Sequence, residues 1–159
     1  MAIRNALKGG IDFTTAEVLE DFDLDDTNNA FYRKAYSDNT GGAINASTTE
    51  TTLATVTITQ NDLGSAASAL ITAGIRCKNS YDTSNITGTF RLKIDGSTVK
   101  TIVLTMNSKN ESSTFTYLAT GLNSTAANVV IIITGQNSAA LNRTSTCDGM
   151  IVDAINNNS

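Results

Sequence analysis

The sequence predicts an all-β fold, a jelly-roll-like β-sandwich preceded by a short α-helical arm, and three observations predict it. From about residue 50 onward, short runs rich in Thr, Val and Ile alternate apolar with polar residues and are cut by Gly, Asn, Asp and Ser. A side-chain period of two lays one face of each run on a core and leaves the other in water. No Pro occurs anywhere, so nothing in the sequence interrupts a ladder. Charged residues make up only 16% of the chain, and Ser, Thr and Asn supply the polar surface instead. Thr suits that role because it is β-branched and tolerates solvent. At 159 residues the chain is long enough for one domain with a buried core and an appended arm.

The arm is read over residues 1–34 and the sandwich over 35–159. Up to Asp38 the chain holds eight of the fifteen acidic residues and shows no strand pattern. Thr14 is placed as an N-cap, and Glu17 three residues on completes a capping box. Phe13 before the cap and Val18 after it match a hydrophobic staple. Val18, Leu19 and Phe22 then share a face, and Leu24 and Phe31 follow on a second short stretch. The expectation is a bent helix or helix–turn–helix over 14–34. Phe13, Val18, Leu19, Phe22, Leu24 and Phe31 are its candidate docking or oligomerisation residues, since so large an apolar face needs a cover.

Residues 37–50 read as a polar, Gly-containing linker, with one or two weak strands between 34 and 48. TLATVTIT (52–59) exposes Thr and buries its aliphatic residues, and ALITAGIRC (69–77) follows a polar loop. TGTFRLKID (87–95) places Phe90, Leu92 and Ile94 on one side and Arg91 and Lys93 on the other. Asp95-Gly96 is the strongest hairpin signal in the chain, and STVKTIVLTM (97–106) returns from it. SSTFTYLAT (112–120) carries Phe115 and Tyr117, both assigned to the core. NVVIIIT (128–134) is a continuous apolar run, as expected of a central strand covered on both faces. TCDGMIVDAI (146–155) closes a domain of eight or nine strands.

Chemistry-bearing patterns are sparse. The chain has no His, which removes the commonest general base and metal ligand. No nucleophile elbow, phosphate-cradling Gly loop or triad spacing occurs. The expectation is therefore no enzyme, no cofactor and no metal. The run DFDLDDTNN (21–29) starts like a calcium loop, but Asp26 stands where Gly is needed and Tyr32 where Glu is needed. Cys77 and Cys147 are read as two buried thiols, with a candidate disulfide between an early strand and the last one as the alternative. Six N-x-S/T sequons arise at about the rate that so much Asn, Ser and Thr produces by chance.

The net charge of −4 argues against nucleic acid as a partner. No run approaches the roughly 20 apolar residues of a membrane span. The opening MAIRNALKGGIDF lacks the apolar region of a secretory signal, so the expected route out of a cell is assembly and lysis or a dedicated pathway. Tyr81, in the loop KNSYDTSN, is the aromatic expected to be exposed and the candidate ligand-loop residue.

GIDFTTAEVLEDFDLDDTNNAFY resembles the opening of tail-fibre and head-fibre proteins of phages and archaeal viruses, through Thr15, Val18, Leu19, Asp23, Leu24, Asp25, Asp26 and Phe31. The resemblance covers about an eighth of the chain and lacks the long repeats that follow in fibres. It implies a virion structural protein of the decoration, turret or short-fibre type. It further implies a homo-oligomer, a trimer in the first instance, with other virion proteins as partners and a host-surface glycan as a candidate ligand. The alternative is a secreted or cell-surface adhesin, filament subunit or carbohydrate-binding module.

Overall fold

The computed structural model describes residues 33–45, 47–79, 86–106, 110–139 and 143–155. Among them nine strands form two antiparallel sheets. The strands are β1 (Arg33–Asp38), β2 (Gly42–Asn45), β3 (Thr51–Ile58), β4 (Ala67–Asn79), β5 (Ile86–Ile94), β6 (Ser97–Met106), β7 (Asn110–Leu122), β8 (Val129–Asn137) and β9 (Arg143–Ile155). Sheet I has the order β1–β9–β4–β7, with β2 following β1 along the same edge of β9. Sheet II has the order β3–β8–β5–β6.

The pairs nest: β1 and β2 with β9, β3 with β8, β4 with β7, β5 with β6. The chain is thus one long antiparallel ribbon folded over itself. Its tip is the Asp95-Gly96 turn, where φ is 48° and 80°, the left-handed pair that a tight hairpin requires. The β9–β4 and β8–β5 pairings lock the folded ribbon into two layers.

Alternation fills the space between the layers. Phe90 and Leu92 from β5, Phe115 from β7, Ile131 and Ile133 from β8, and Ile71 and Ile75 from β4 are all fully buried. Each such side chain contributes about 1.5–3 kcal/mol by leaving water. Tyr117 is half-buried against this core rather than enclosed in it.

Two expectations need correction. Arg33 and Lys34, the last residues of the helical reading, lie in β1, where backbone pairing with Ile155 and Ala154 claims them. The rest of the arm falls outside the described residues. The stretch 37–50 holds the short strand β2, of the kind expected there, and a carboxylate latch. On β8, Val130 and Ile132 are only half-buried, because Lys93 and other side chains of sheet II flank them and no third layer of described residues covers them.

One bulge organises sheet I. Gly74 pairs with Gly149 and Ile75 with Cys147, which leaves Asp148 as an extra residue on β9. Parity flips there: Ser145 and Cys147 face the core before it, and Met150, Val152 and Ala154 after it. Gly149 has φ +135°, and a Cβ would lie 2.7 Å from the Asp38 carbonyl oxygen, so no larger residue fits. Opposite the bulge the edge strand breaks between β1 and β2. The Asp38 carboxylate spans the break, accepting from the Thr40 hydroxyl (2.7 Å) and the backbone N–H groups of Thr40, Gly41 and Thr55. The Thr55 bond ties the edge of sheet I to β3 of sheet II at 2.8 Å.

Between the layers, the Cys77 thiol and Ser145 hydroxyl lie 3.2 Å apart, and Ser145 donates to Asn137 Oδ1. Cys77 and Cys147 are free, buried thiols, and the candidate disulfide is not formed. The register gives the reason: Cys77 stands opposite Ser145 and Cys147 opposite Ile75, so neither thiol is the other's direct cross-strand neighbour. Burial pushes both thiols above their ordinary range. Gly88 leaves room for this cluster, since a Cβ there would collide with Cys77 Sγ and come within 2.9 Å of Ser145 Oγ.

Gly88→Ala should therefore destabilise by about 1–3 kcal/mol through overpacking. Adding Cys77→Ala should restore part of that loss; chemical denaturation of the two variants that showed equal instability would contradict the packing account. For Asp38, hydrogen bonds led by the Thr55 amide hold the carboxyl down to about 2 from 3.8. A folded-state value below the unfolded one gives stability that is present above about pH 4 and lost as pH falls towards about 2. Asp38→Ala should melt below the parent at about pH 6 and converge with it at about pH 2; a constant gap across that window would refute the latch.

Candidate docking surface

Five large apolar side chains are exposed among the described residues, and four of them lie on the outer face of sheet I. They are Leu70 on β4 (44% exposed), Leu118 on β7 (63%), and Ile151 (53%) and Ile155 (46%) on β9. Leu70 stands opposite Leu118 on one side and Asp153 on the other, while Ile151 and Ile155 stand opposite Thr72 and Ser68. Together they form one patch at the end of the sheet where β1 enters. Asp153 within it is half-buried and already engaged.

The opposite end of the same face is basic and polar. Arg76 and Lys78 project from β4 beside Asn110, Thr144 and Thr146, around an open groove of about 360 Å³. Arg76 pairs with Asp148, the bulge residue, at 2.9 Å. The face thus grades from apolar to cationic along β4.

The outer face of sheet II differs. There Glu50 pairs with Lys93 and with Arg91 (3.2 Å) and accepts from Thr134. Lys93 foremost holds the Glu50 carboxyl below its usual range. The one large apolar side chain exposed on that sheet is Val103, on its edge strand. Apolar surface that exceeds scattered single residues marks a candidate contact site, and among the described residues the face of sheet I has it.

Of the residues nominated from sequence, Phe13, Val18, Leu19, Phe22, Leu24, Phe31 and Tyr81 lie outside the described residues, as does the acidic run 21–29. Cys77 and Cys147 are buried. Tyr117 lines an open groove of about 370 Å³ with Ile94, Val99, Asp95 and Asn123. Tyr36 is half-buried, its hydroxyl 3.2 Å from Asp62, which Lys34 also engages. Among the described residues no group of three or more Cys, Asp or Glu side chains could hold a metal ion, and no helix is long and apolar enough to cross a membrane.

The docking face was missed although a signal for it exists. Leu70 interrupts the phase of Ala69 and Ile71, Leu118 that of Tyr117 and Ala119, and Ile151 that of Met150 and Val152. An apolar residue out of phase with a strand's core positions is an outward apolar residue.

No protein-family model matches the sequence, and no curated protein matches it. Among solved structures, the chain is similar to dimeric latent PorU from Porphyromonas gingivalis, with a TM-score of 0.57 at 10% identity. That superposition covers 81% of this chain and 13% of PorU. Infectious bursal disease virus VP2 of a subviral particle gives a TM-score of 0.45 at 15% identity, over 79% of this chain and 33% of VP2. The CBM36-1 domain of a xylanase from the hindgut metagenome of Trinervitermes trinervoides gives 0.45 at 14%, over 76% of this chain and 95% of that domain. The PorU likeness shows the sandwich fold alone, and the other two carry no argument. This chain spans 13% of the PorU chain and about a third of VP2.

Leu118 and Phe115 sit three residues apart on β7, one outward and one inward. Leu118→Thr should leave folding stability within about 0.5 kcal/mol of the parent, whereas Phe115→Ala should lose about 3–5 kcal/mol. Comparable losses in urea unfolding would mean that Leu118 belongs to the core and not to a free face.

Proposed function

We propose that this protein is a non-enzymatic structural protein of a virion surface, a capsid decoration, turret or short fibre. It assembles as a homo-oligomer through its N-terminal segment and displays a jelly-roll sandwich. The observation that carries the reading is the apolar outer face of sheet I, beside the point where that segment joins β1. The resemblance of residues 10–32 to tail-fibre and head-fibre openings supports the virion setting. The nested ribbon supports the jelly roll, since counting β1 and β2 as one broken strand leaves eight strands in two four-stranded layers.

The energetics favour assembly by burial. Six large apolar side chains leaving water give a gross gain of about 9–18 kcal/mol. Association and side-chain ordering subtract about 4–15 kcal/mol or more. The balance is a contact that forms in a repeated assembly and is marginal in isolation. That is the behaviour of a subunit that decorates a larger body.

A second reading, a glycan-binding module, is favoured by the groove beside Tyr117. A half-buried aromatic next to Asp95 and Asn123 offers the mixed apolar and polar lining that a sugar ring uses. Glycan-array binding lost in Tyr117→Ala or Tyr81→Ala would favour this reading, and a flat array would remove it.

The primary reading predicts that tagged full-length protein co-sediments with purified particles of its virus through a density gradient. A form lacking residues 1–34 should keep its β-sheet circular dichroism and stay unsedimented. Co-sedimentation of the truncated form overturns the segment's role; absence of the full-length chain from particles overturns the virion setting.

A further inference from the structure

We infer that the outer face of sheet I, from Leu70 and Leu118 at one end to Arg76 and Lys78 at the other, seats residues 13–31 of a second copy of this chain. The inference rests on the reading of the N-terminal segment as a docking element and names the surface it docks on.

Among the described residues nothing covers the face. In a two-layer sandwich each sheet buries its inner side against the other, and an outer side with four exposed aliphatic residues calls for a further layer. The place where the chain leaves the fold points to what that layer is. β1 enters the sheet at Arg33, paired with Ile155 of the patch itself, with 32 residues before it. From Arg33 the strand runs along the sheet towards Asp38, so the chain enters the sheet at the end that carries the patch. Covering its own face would require a full reversal within the few residues before Arg33; reaching a neighbour's face requires none.

Side-chain chemistry and charge agree with this occupant. Phe13, Val18, Leu19, Phe22, Leu24 and Phe31 supply apolar contacts for the Leu70–Leu118–Ile151–Ile155 patch. Residues 1–32 carry seven acidic side chains against Arg4 and Lys8 alone. The far end of the face presents Lys78 and Arg76. The segment thus offers both apolar and acidic side chains to a face that is apolar at one end and basic at the other, and because segment and face are different surfaces, the contact is head-to-tail.

The test uses full-length chains in native mass spectrometry and light scattering. The parent should be a homo-oligomer that loosens as salt rises. Leu70→Asp with Leu118→Asp should weaken self-association about tenfold or more, as should Leu19→Asp with Phe22→Asp. Leu118→Ser, a milder change, checks that any loss is not unfolding, with thermal melts alongside. Mixing the face variant with the segment variant should yield 1:1 pairs, because each supplies what the other lacks. A monomeric parent, or a mixture that stays monomeric, overturns the inference. If the segment variant dissociates while the face variant assembles like the parent, the segment docks elsewhere: the inference falls and the reading of the segment stands. If neither variant affects assembly, both fall.

Discussion

The extra residue on β9 is the constraint from which most of this architecture follows. Without Asp148 the strand would keep one parity, and either Ser145 and Cys147 or Met150, Val152 and Ala154 would turn outward. The bulge allows both sets to face the core. The same flip sends Ile151 and Ile155 to the outer face, so the apolar patch is a geometric consequence of packing the second half of β9. It also splits the edge strand, because β1 follows β9 from Met150 onward and β2 follows it up to Cys147. Asp38 closes that split and carries the sheet I edge across to Thr55 on sheet II. One inserted residue thus links core, edge and outer face.

Much of this fold is legible in the sequence, and the illegible part has physical causes. The strands from residue 51 onward follow the period-two runs, and the Asp95-Gly96 turn lies at the tip of the ribbon where local chemistry places it. β1 and β2 are hard to read because each is short and draws its stability from pairing with β9, at the far end of the sequence. The continuous run of β8 reads as doubly buried, yet it is central in the sheet and covered on one face only. Apolar content there reflects crowding by flanking strands and long side chains. The apolar outer face was legible in principle, through Leu70, Leu118 and Ile151, each adjacent to a core residue and out of phase with it. A reading that assigns every apolar residue to the interior passes over that signal.

The two outer faces and the edges show different ways of meeting solvent. Sheet II ties Glu50 to Lys93, Arg91 and Thr134, which satisfies charge within the face and leaves little for a partner to recognise. Surface pairs of this kind add little stability, so their effect is mainly to keep the face hydrophilic. On the open side of the sandwich, Lys100 of β6 donates to the Thr116 carbonyl of β7 at 2.8 Å. A lysine across an edge discourages pairing with a stray strand. Association by edge addition is thus blunted at β7, while association through the face of sheet I is left open.

That asymmetry bears on how such a subunit could be built into something larger. A contact carried by free edges has no fixed end, since each added strand presents another edge. A contact carried by a segment and a face is saturable: each copy has one of each, and geometry decides whether the chain of contacts closes. The polar cluster of Cys77, Ser145 and Asn137, enclosed between the sheets, adds specificity of a different kind, because its hydrogen bonds hold only in one register of β4 against β9. A slip by one residue would turn either the thiol or the hydroxyl outward, whichever strand moved, and break the contact between them. Fixing that register fixes where Leu70 lies relative to Ile151 and Ile155. The buried polar contacts therefore set the shape of the outer apolar patch.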